Sequence, residues 1–286
     1  MGEDSDESKA HDLALRVGSA AVLAPLTLLC AYLDGWLFLA LCAFAAGGIF
    51  WEWMHLLAER TELRRFVPGW VGLGAAAVLI GLGDPGAAVV AAAAGAIIVG
   101  VAAGLRPPRG APPHVGVWAM SGAVYAAAAL FGPALLRRDP QWGFTALLFL
   151  FATVWATDIL AFFSGRTIGG PRLWPSVSPN KTWAGAIGGL VGGLAAGVAV
   201  AYASGVGELA LAGVMGLVLS VLAQAGDLLE SAVKRHFGAK DASHLIPGHG
   251  GLMDRLDSFI VAALAALLIG MLHQGTAAPG RGLLVW

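Results

Sequence analysis

Long apolar stretches separated by short polar ones run through nearly the whole chain. Stretches long enough to cross a hydrocarbon layer of about 30 Å as helices fall at roughly 14–33, 36–57, 67–83, 86–105, 115–136, 143–163, 183–204, 207–226 and 255–273. About nine transmembrane helices are therefore expected. Connectors such as Asp84-Pro85-Gly86 favour a tight turn between two of them. Two stretches are less regular: 115–136 contains Pro133 and ends in Arg137-Arg138, and 67–83 is short and rich in glycine. A tilted, broken or partly interfacial helix is expected at either, and a count of eight or ten stays open. The fold class that follows is an all-α integral membrane protein, a polytopic helical bundle.

Composition agrees. A chain of 286 residues with 58% hydrophobic content and a mean hydropathy of +0.76 is too apolar for a soluble globular domain. The net charge of -1 says little, because in a membrane protein the placement of charge carries the information. With the N-terminus cytosolic, the inner segments hold Lys9, Arg16, Arg60, Arg64, Arg65, Arg106, Arg109, Arg166, Arg172, Lys181, Lys234, Arg235, Lys240 and Arg255. That is 14 of the 17 basic residues, leaving Arg137, Arg138 and Arg281 outside, in keeping with the positive-inside rule. Residues 1–12, MGEDSDESKAHD, are acidic, unlike the basic start of a signal peptide, and read as a disordered cytosolic tail before a single membrane domain at 13–286. Cys30 and Cys42 lie in apolar runs and support neither a disulfide framework nor a metal cluster. No basic patch interleaved with aromatics points to nucleic acid; the bilayer is the evident partner.

Against this background, residues 231–258 stand apart. Seven of these 28 positions are charged (Lys234, Arg235, Lys240, Asp241, Asp254, Arg255, Asp257), against 12% for the chain, and His236, His244 and His249 lie among them. Ionisable groups held beside a bilayer are costly unless they bind something. Cations mixed with carboxylates suit a polyanionic substrate bridged by a divalent metal ion, the arrangement used for phosphoryl and nucleotidyl transfer. A solvated, topology-setting loop is the plainer alternative. Asp254 and Asp257 are three apart and share a helical face, and Gly250 and Gly251 before them suit a sharp turn or close approach to a phosphate. Upstream, Asp227, Glu230, Ser231 and Lys234 fall on one helical stripe. His249, between glycines, reads either as a proton or phosphate donor or as a loop anchor.

A second polar segment spans 155–183. Asp158 lies in an apolar run and needs a partner, for which Arg166, about two turns on, is the candidate. Ser178-Pro179-Asn180-Lys181-Thr182 then opens a helix, with Asn180 or Ser178 as cap and Lys181 and Thr182 near a positive helix end that suits a phosphate. Gly185, Gly188, Gly189, Gly192, Gly193 and Gly197 favour close helix packing or a dimer face. Glu52, between Trp51 and Trp53, reads as a glutamate of the interfacial aromatic belt and stays outside the expected core site.

The string Ser231-x-x-Lys234-Arg235, Lys240-Asp241, Pro247-Gly-His-Gly-Gly and Asp254-Arg255-x-Asp257 resembles the signature of the phosphatidate cytidylyltransferase (CDP-diacylglycerol synthase) family. Asp158-x-x-Ala161-Phe162-x-x-Gly165-Arg166 and Ser178-Pro179-x-Lys181-Thr182 resemble that family's upstream pattern, although many relatives carry an acidic residue where this chain has Ala184. The resemblance implies transfer of a cytidylyl group from CTP to phosphatidate, at a site built from 155–183 and 224–258 and facing the cytosol of a bacterial inner membrane. It implies Mg²⁺, with room for a second cation, on Asp227, Asp254 and Asp257. Lys234, Arg235, Lys240, Asp241, His249 and Arg255 would complete the catalytic set, and Asp158, Arg166, Ser178, Lys181, Thr182, Ser231, Gly250 and Gly251 the substrate contacts. A homodimer remains open. An anionic-solute transporter or another CTP-dependent lipid transferase is the competing reading; the former should show repeat symmetry between halves, and the Asp-Gly-x-x-Ala-Arg opening of the CDP-alcohol phosphotransferases is absent.

Overall fold

The computed structural model describes residues 21–57, 66–243 and 250–286. The acidic segment 1–12 and His249 lie outside them. The described residues form ten helices: α1 (Ala21–Leu33), α2 (Gly35–Leu57), α3 (Val67–Gly81), α4 (Pro85–Leu105), α5 (Val115–Arg137), α6 (Gly143–Thr167), α7 (Trp183–Ala203), α8 (Leu209–His236), α9 (Met253–Gln274) and α10 (Pro279–Leu284). Seven are long and apolar enough to cross a membrane, while α1 and α3 are apolar but shorter. Large apolar side chains such as Phe44, Val90 and Leu272 point outward, 68–88% exposed, which is the face a bilayer would cover. The described residues are thus those of a predominantly helical polytopic membrane protein.

Local chemistry accounts for several boundaries. Asp84 caps α4 by accepting from Ala87 N at 2.9 Å, and Pro85 takes the first helical position, where its missing N–H costs nothing. α5 passes through Pro133 without a break, which removes the broken helix from the alternatives open there. Pro133 is buried beside Gly132, where an added methyl group would come within 2.9 Å of the Ala263 backbone, so packing against α9 keeps this stretch helical.

Three features go beyond the apolar pattern. α8 continues past its apolar part to His236, carrying the polar stripe out on a continuous helix. Residues 172–182 fold back as a hairpin of β1 (Arg172–Trp174) and β2 (Ser178–Thr182), with Arg172 opposite Thr182 and Trp174 opposite Ser178. α10 tucks its buried face against α9 and α6 after the last apolar run.

The glycines of α7 are consumed within the chain. A methyl group on Gly192 would lie 2.6 Å from the Ala156 carbonyl of α6, and one on Gly193 2.6 Å from the Ser220 side chain of α8. α7 is therefore wedged between the two helices that carry Asp158 and Asp227. Ser220 Oγ donates to Gly189 O at 3.2 Å and accepts from Thr157 Oγ1 at 2.8 Å, locking the three helices in register.

The bundle has two chemically different ends. At one, Arg137 and Asp139 meet the start of α2 and the segment entering α10. At the other, the last turn of α2 faces Arg109, the end of α8 and the start of α9.

Candidate active site

At this second end the hairpin, α6, α8 and α9 bring the two polar segments together. Lys181, held on β2 by the pairing with β1 and by the Arg172 Nη1 bond to Asn180 O at 3.0 Å, forms an ion pair with Asp227 of α8. Asp158 of α6 accepts from Ser258 Oγ of α9 at 3.1 Å. Asp257, the residue before, lies within electrostatic reach of Asp227, Asp158 and Lys181. Gly226 makes this approach feasible: a methyl group there would sit 2.6 Å from the Asp257 carbonyl oxygen. Three carboxylates from three helices thus lie within electrostatic reach of a single lysine, which pairs with Asp227.

Farther along the same two helices lies a second charged layer. Lys234 pairs with Glu230 at 2.8 Å and with Asp254 at 2.5 Å, and Glu230 is fully buried. Asp254 also accepts from Gly251 N at 2.9 Å and Ala242 N at 3.1 Å. The helical stripe on α8 is as its spacing predicts, with Asp227, Glu230 and Lys234 all facing the bundle and Ser231 Oγ 3.5 Å from Asp227 Oδ1.

Other expected site residues take different places. Arg166 does not pair with Asp158; its guanidinium lies 5.9 Å from the ring centre of Phe162 on its own helix, at an exposed position. Eight residues carry a side chain about 80° round and about 12 Å along a helix, which is too far. The cap of α7 is Thr182 rather than Asn180 or Ser178: its buried hydroxyl accepts from Gly185 N at 3.1 Å, while Ser178 and Asn180 are strand residues. Arg235 points outward and binds Ala239 O at 3.1 Å, and Lys240, Asp241 and Arg255 are exposed around the rim. Gly250 has φ +81°, so glycine is needed for that turn, whereas Gly251 lies against carboxylates: a methyl group there would stand 2.9 Å from both Asp254 Oδ2 and Glu52 Oε1.

Glu52 is the residue that the sequence reading set aside. It has no exposed surface and accepts from Ser243 Oγ, Leu252 N and Met253 N. A carboxylate inside the apolar run Ile49 to Leu57 was itself the signal, since a charge there needs a buried partner.

Among the described residues no three carboxylate, imidazole or thiol groups form a ready-made metal cage. Asp158, Asp227 and Asp257 nevertheless fit a hard divalent cation, because Mg²⁺ is commonly held by one or two carboxylates and completed by water and substrate phosphates. The excess of carboxylate over ammonium in this layer favours such an ion electrostatically.

Residues 14–272 match the cytidylyltransferase family. The chain is 39% identical over 274 residues to the phosphatidate cytidylyltransferase of Brucella suis, covering 94% of this chain and 97% of the relative. The Brucella melitensis protein of the same name is 40% identical over the same shares. That of Bacillus subtilis is 41% identical over 129 residues, 44% of this chain and 47% of the relative.

Proposed function

Because the chain belongs to the cytidylyltransferase family, we propose that it transfers the cytidylyl group of CTP to phosphatidate, forming CDP-diacylglycerol and pyrophosphate. It is a nucleotidyltransferase of phospholipid synthesis that works within the bilayer, where its lipid substrate lies. The observation that supports this reading is the gathering of the hairpin lysine with carboxylates from α6, α8 and α9 at one end of the bundle, a cation beside several oxygen donors.

A phosphate oxygen of phosphatidate attacks the α-phosphorus of CTP, the new P–O bond forms as the α–β bridging bond breaks, and pyrophosphate departs. No covalent enzyme intermediate is needed. Asp227 and Asp257, with Asp158 beside them, would hold Mg²⁺, which when bound draws the phosphates together and offsets charge on the leaving group. Asp254, expected from the sequence to share that role, has its oxygens engaged by Lys234 and two amides. It holds Lys234 in the site, and its remaining lone-pair position would join the metal. Lys181 and Lys234 neutralise phosphate charge, and Arg255, Arg235 and Lys240 extend the cationic rim toward CTP.

The site faces the cytosol of the inner membrane in this reading. That orientation puts 14 of 17 basic residues inside, and Arg137, Arg138 and Arg281 at the opposite end. Purified protein in detergent with radiolabelled CTP, phosphatidate and Mg²⁺ should yield a lipid-soluble labelled product; none at saturating substrates would remove the assignment. Single cysteines at Gly170 and Gly238 should react with an impermeant thiol reagent only after cells are permeabilised, and one at Gly205 from outside. Labelling of Gly170 and Gly238 on opposite faces would contradict a shared cytosolic site.

A further inference from the structure

Glu52 lies on α2, far in sequence from every charged group of the site, yet it holds the start of α9. Ser243 Oγ and Leu252 N donate to its Oε1 at 2.5 and 2.7 Å, and Met253 N donates to its Oε2 at 2.5 Å. Ser243 and Leu252 stand on either side of the segment that carries Pro247-Gly-His-Gly-Gly. One carboxylate therefore ties Ser243 and the start of α9 to α2. It also binds the first free amides of α9, where an anion is favoured by the helix dipole.

What those amides carry gives the contact its importance. Asp254 follows Met253 directly and pairs with Lys234, and Asp257 comes three residues later, facing Asp227. Each residue of a helix is turned by about 100° from the last, so the point at which α9 begins sets the direction of both side chains. Gly251 leaves just enough room for Glu52 and Asp254 to share this corner.

We propose that Glu52 is a positioning residue for the cytidylyl transfer described above, on which this inference rests. It does not touch substrate; it sets the start and rotation of α9 and so the aim of Asp254 and Asp257. The role calls for a carboxylate. Three donors converge on two oxygens, and a glutamine would turn an NH₂ group toward one of the donating amides. Aspartate keeps the charge but is one methylene short.

The test uses the full chain, purified in detergent, with Glu52→Gln, Glu52→Asp and Ser243→Ala assayed at a temperature below each variant's own melting transition. CTP, phosphatidate and Mg²⁺ are varied separately, and amide hydrogen exchange is followed over residues 250–257. Glu52→Gln should lower kcat at least about tenfold, raise the Mg²⁺ concentration for half-maximal rate, and speed exchange at Leu252 and Met253 by a similar factor. Glu52→Asp should recover part of each. A role in folding alone would lower the melting temperature and leave kcat and the Mg²⁺ requirement of the folded enzyme unchanged, and that result overturns the proposal. If Glu52→Gln does not fold, Ser243→Ala decides: a fall in kcat of roughly twofold to fivefold with faster exchange supports the proposal, and unchanged values overturn it. The unsubstituted enzyme, run in parallel, separates the two levels. Labelled lipid from it, with full kcat in Glu52→Gln, removes only the role of Glu52, whereas no labelled lipid from it removes the transfer reading and this inference together.

Discussion

Both ends of the bundle hold buried or half-buried charge, but only one is balanced. At the end without the site, Arg137 pairs with Asp34 at 3.1 Å and donates through Nε to Ala31 O at 2.6 Å. Asp139, 3% exposed, accepts from Gln141 N, Trp142 N and Arg281 N within 3.0 Å. Arg137, Asp34 and Asp139 each have a partner there, and each partner is backbone or an opposite charge. At the site end Asp158, Asp227, Glu230, Asp254 and Asp257 converge on Lys181 and Lys234, five carboxylates on two ammonium groups. Buried carboxylates in surplus over their ammonium partners are costly unless another cation joins them or a proton neutralises them. The balanced end reads as structure and the unbalanced end as a place where something binds.

Substitutions can break or sharpen that contrast. Asp227→Asn keeps size but removes the charge that a hard cation needs, so turnover should fall by at least about a thousandfold, roughly 4 kcal/mol of transition-state stabilisation, while the melting temperature in detergent hardly moves. Near-normal turnover at saturating Mg²⁺ would take Asp227 out of the site. Lys181→Met deprives Asp227 of its ammonium partner and, in the proposed reaction, the phosphates of a cation, and should cost roughly a hundredfold, about 2.7 kcal/mol, measured as kcat/KM for CTP. Arg255→Lys should cost at least about tenfold and Arg106→Lys almost nothing, because a guanidinium gripping phosphate depends on its planar fork whereas topology counts charge alone. Equal tolerance of the two would reassign Arg255 to topology. At the balanced end, Asp139→Ala strands amides in a buried position and should lower stability by at least about 2 kcal/mol with kcat of the folded enzyme unchanged. A catalytic defect there would show that the two ends are not separable.

Much of the site was legible because its residues come in local patterns. The stripe of Asp227, Glu230 and Lys234 follows helical spacing, and α8 presents it as that spacing predicts. The proposed Asp158–Arg166 pair failed because nearness along a helix is not nearness in space; the partner of Asp158 is Ser258, a hundred positions later on another helix. The hairpin at 172–182 escaped notice because a three-residue strand leaves no periodicity to read, and Thr182 took the capping role because β2 ends at that residue. Glu52 was visible as an anomaly, but not as a clamp.

The sequence by itself determined that this is a helical membrane protein and that its charged residues gather in two polar segments. Hydropathy and helical period act over a few turns of one chain segment, and nothing remote is needed to read them. Only the tertiary structure decided which carboxylates receive a lysine, which receive backbone amides, and which are left in surplus. Those outcomes depend on how helices are rotated and how closely they approach. The close contact at Gly226 sets the distance between α8 and α9, and Glu52, reaching from α2 to residues 191 and 201 positions away, sets where α9 begins.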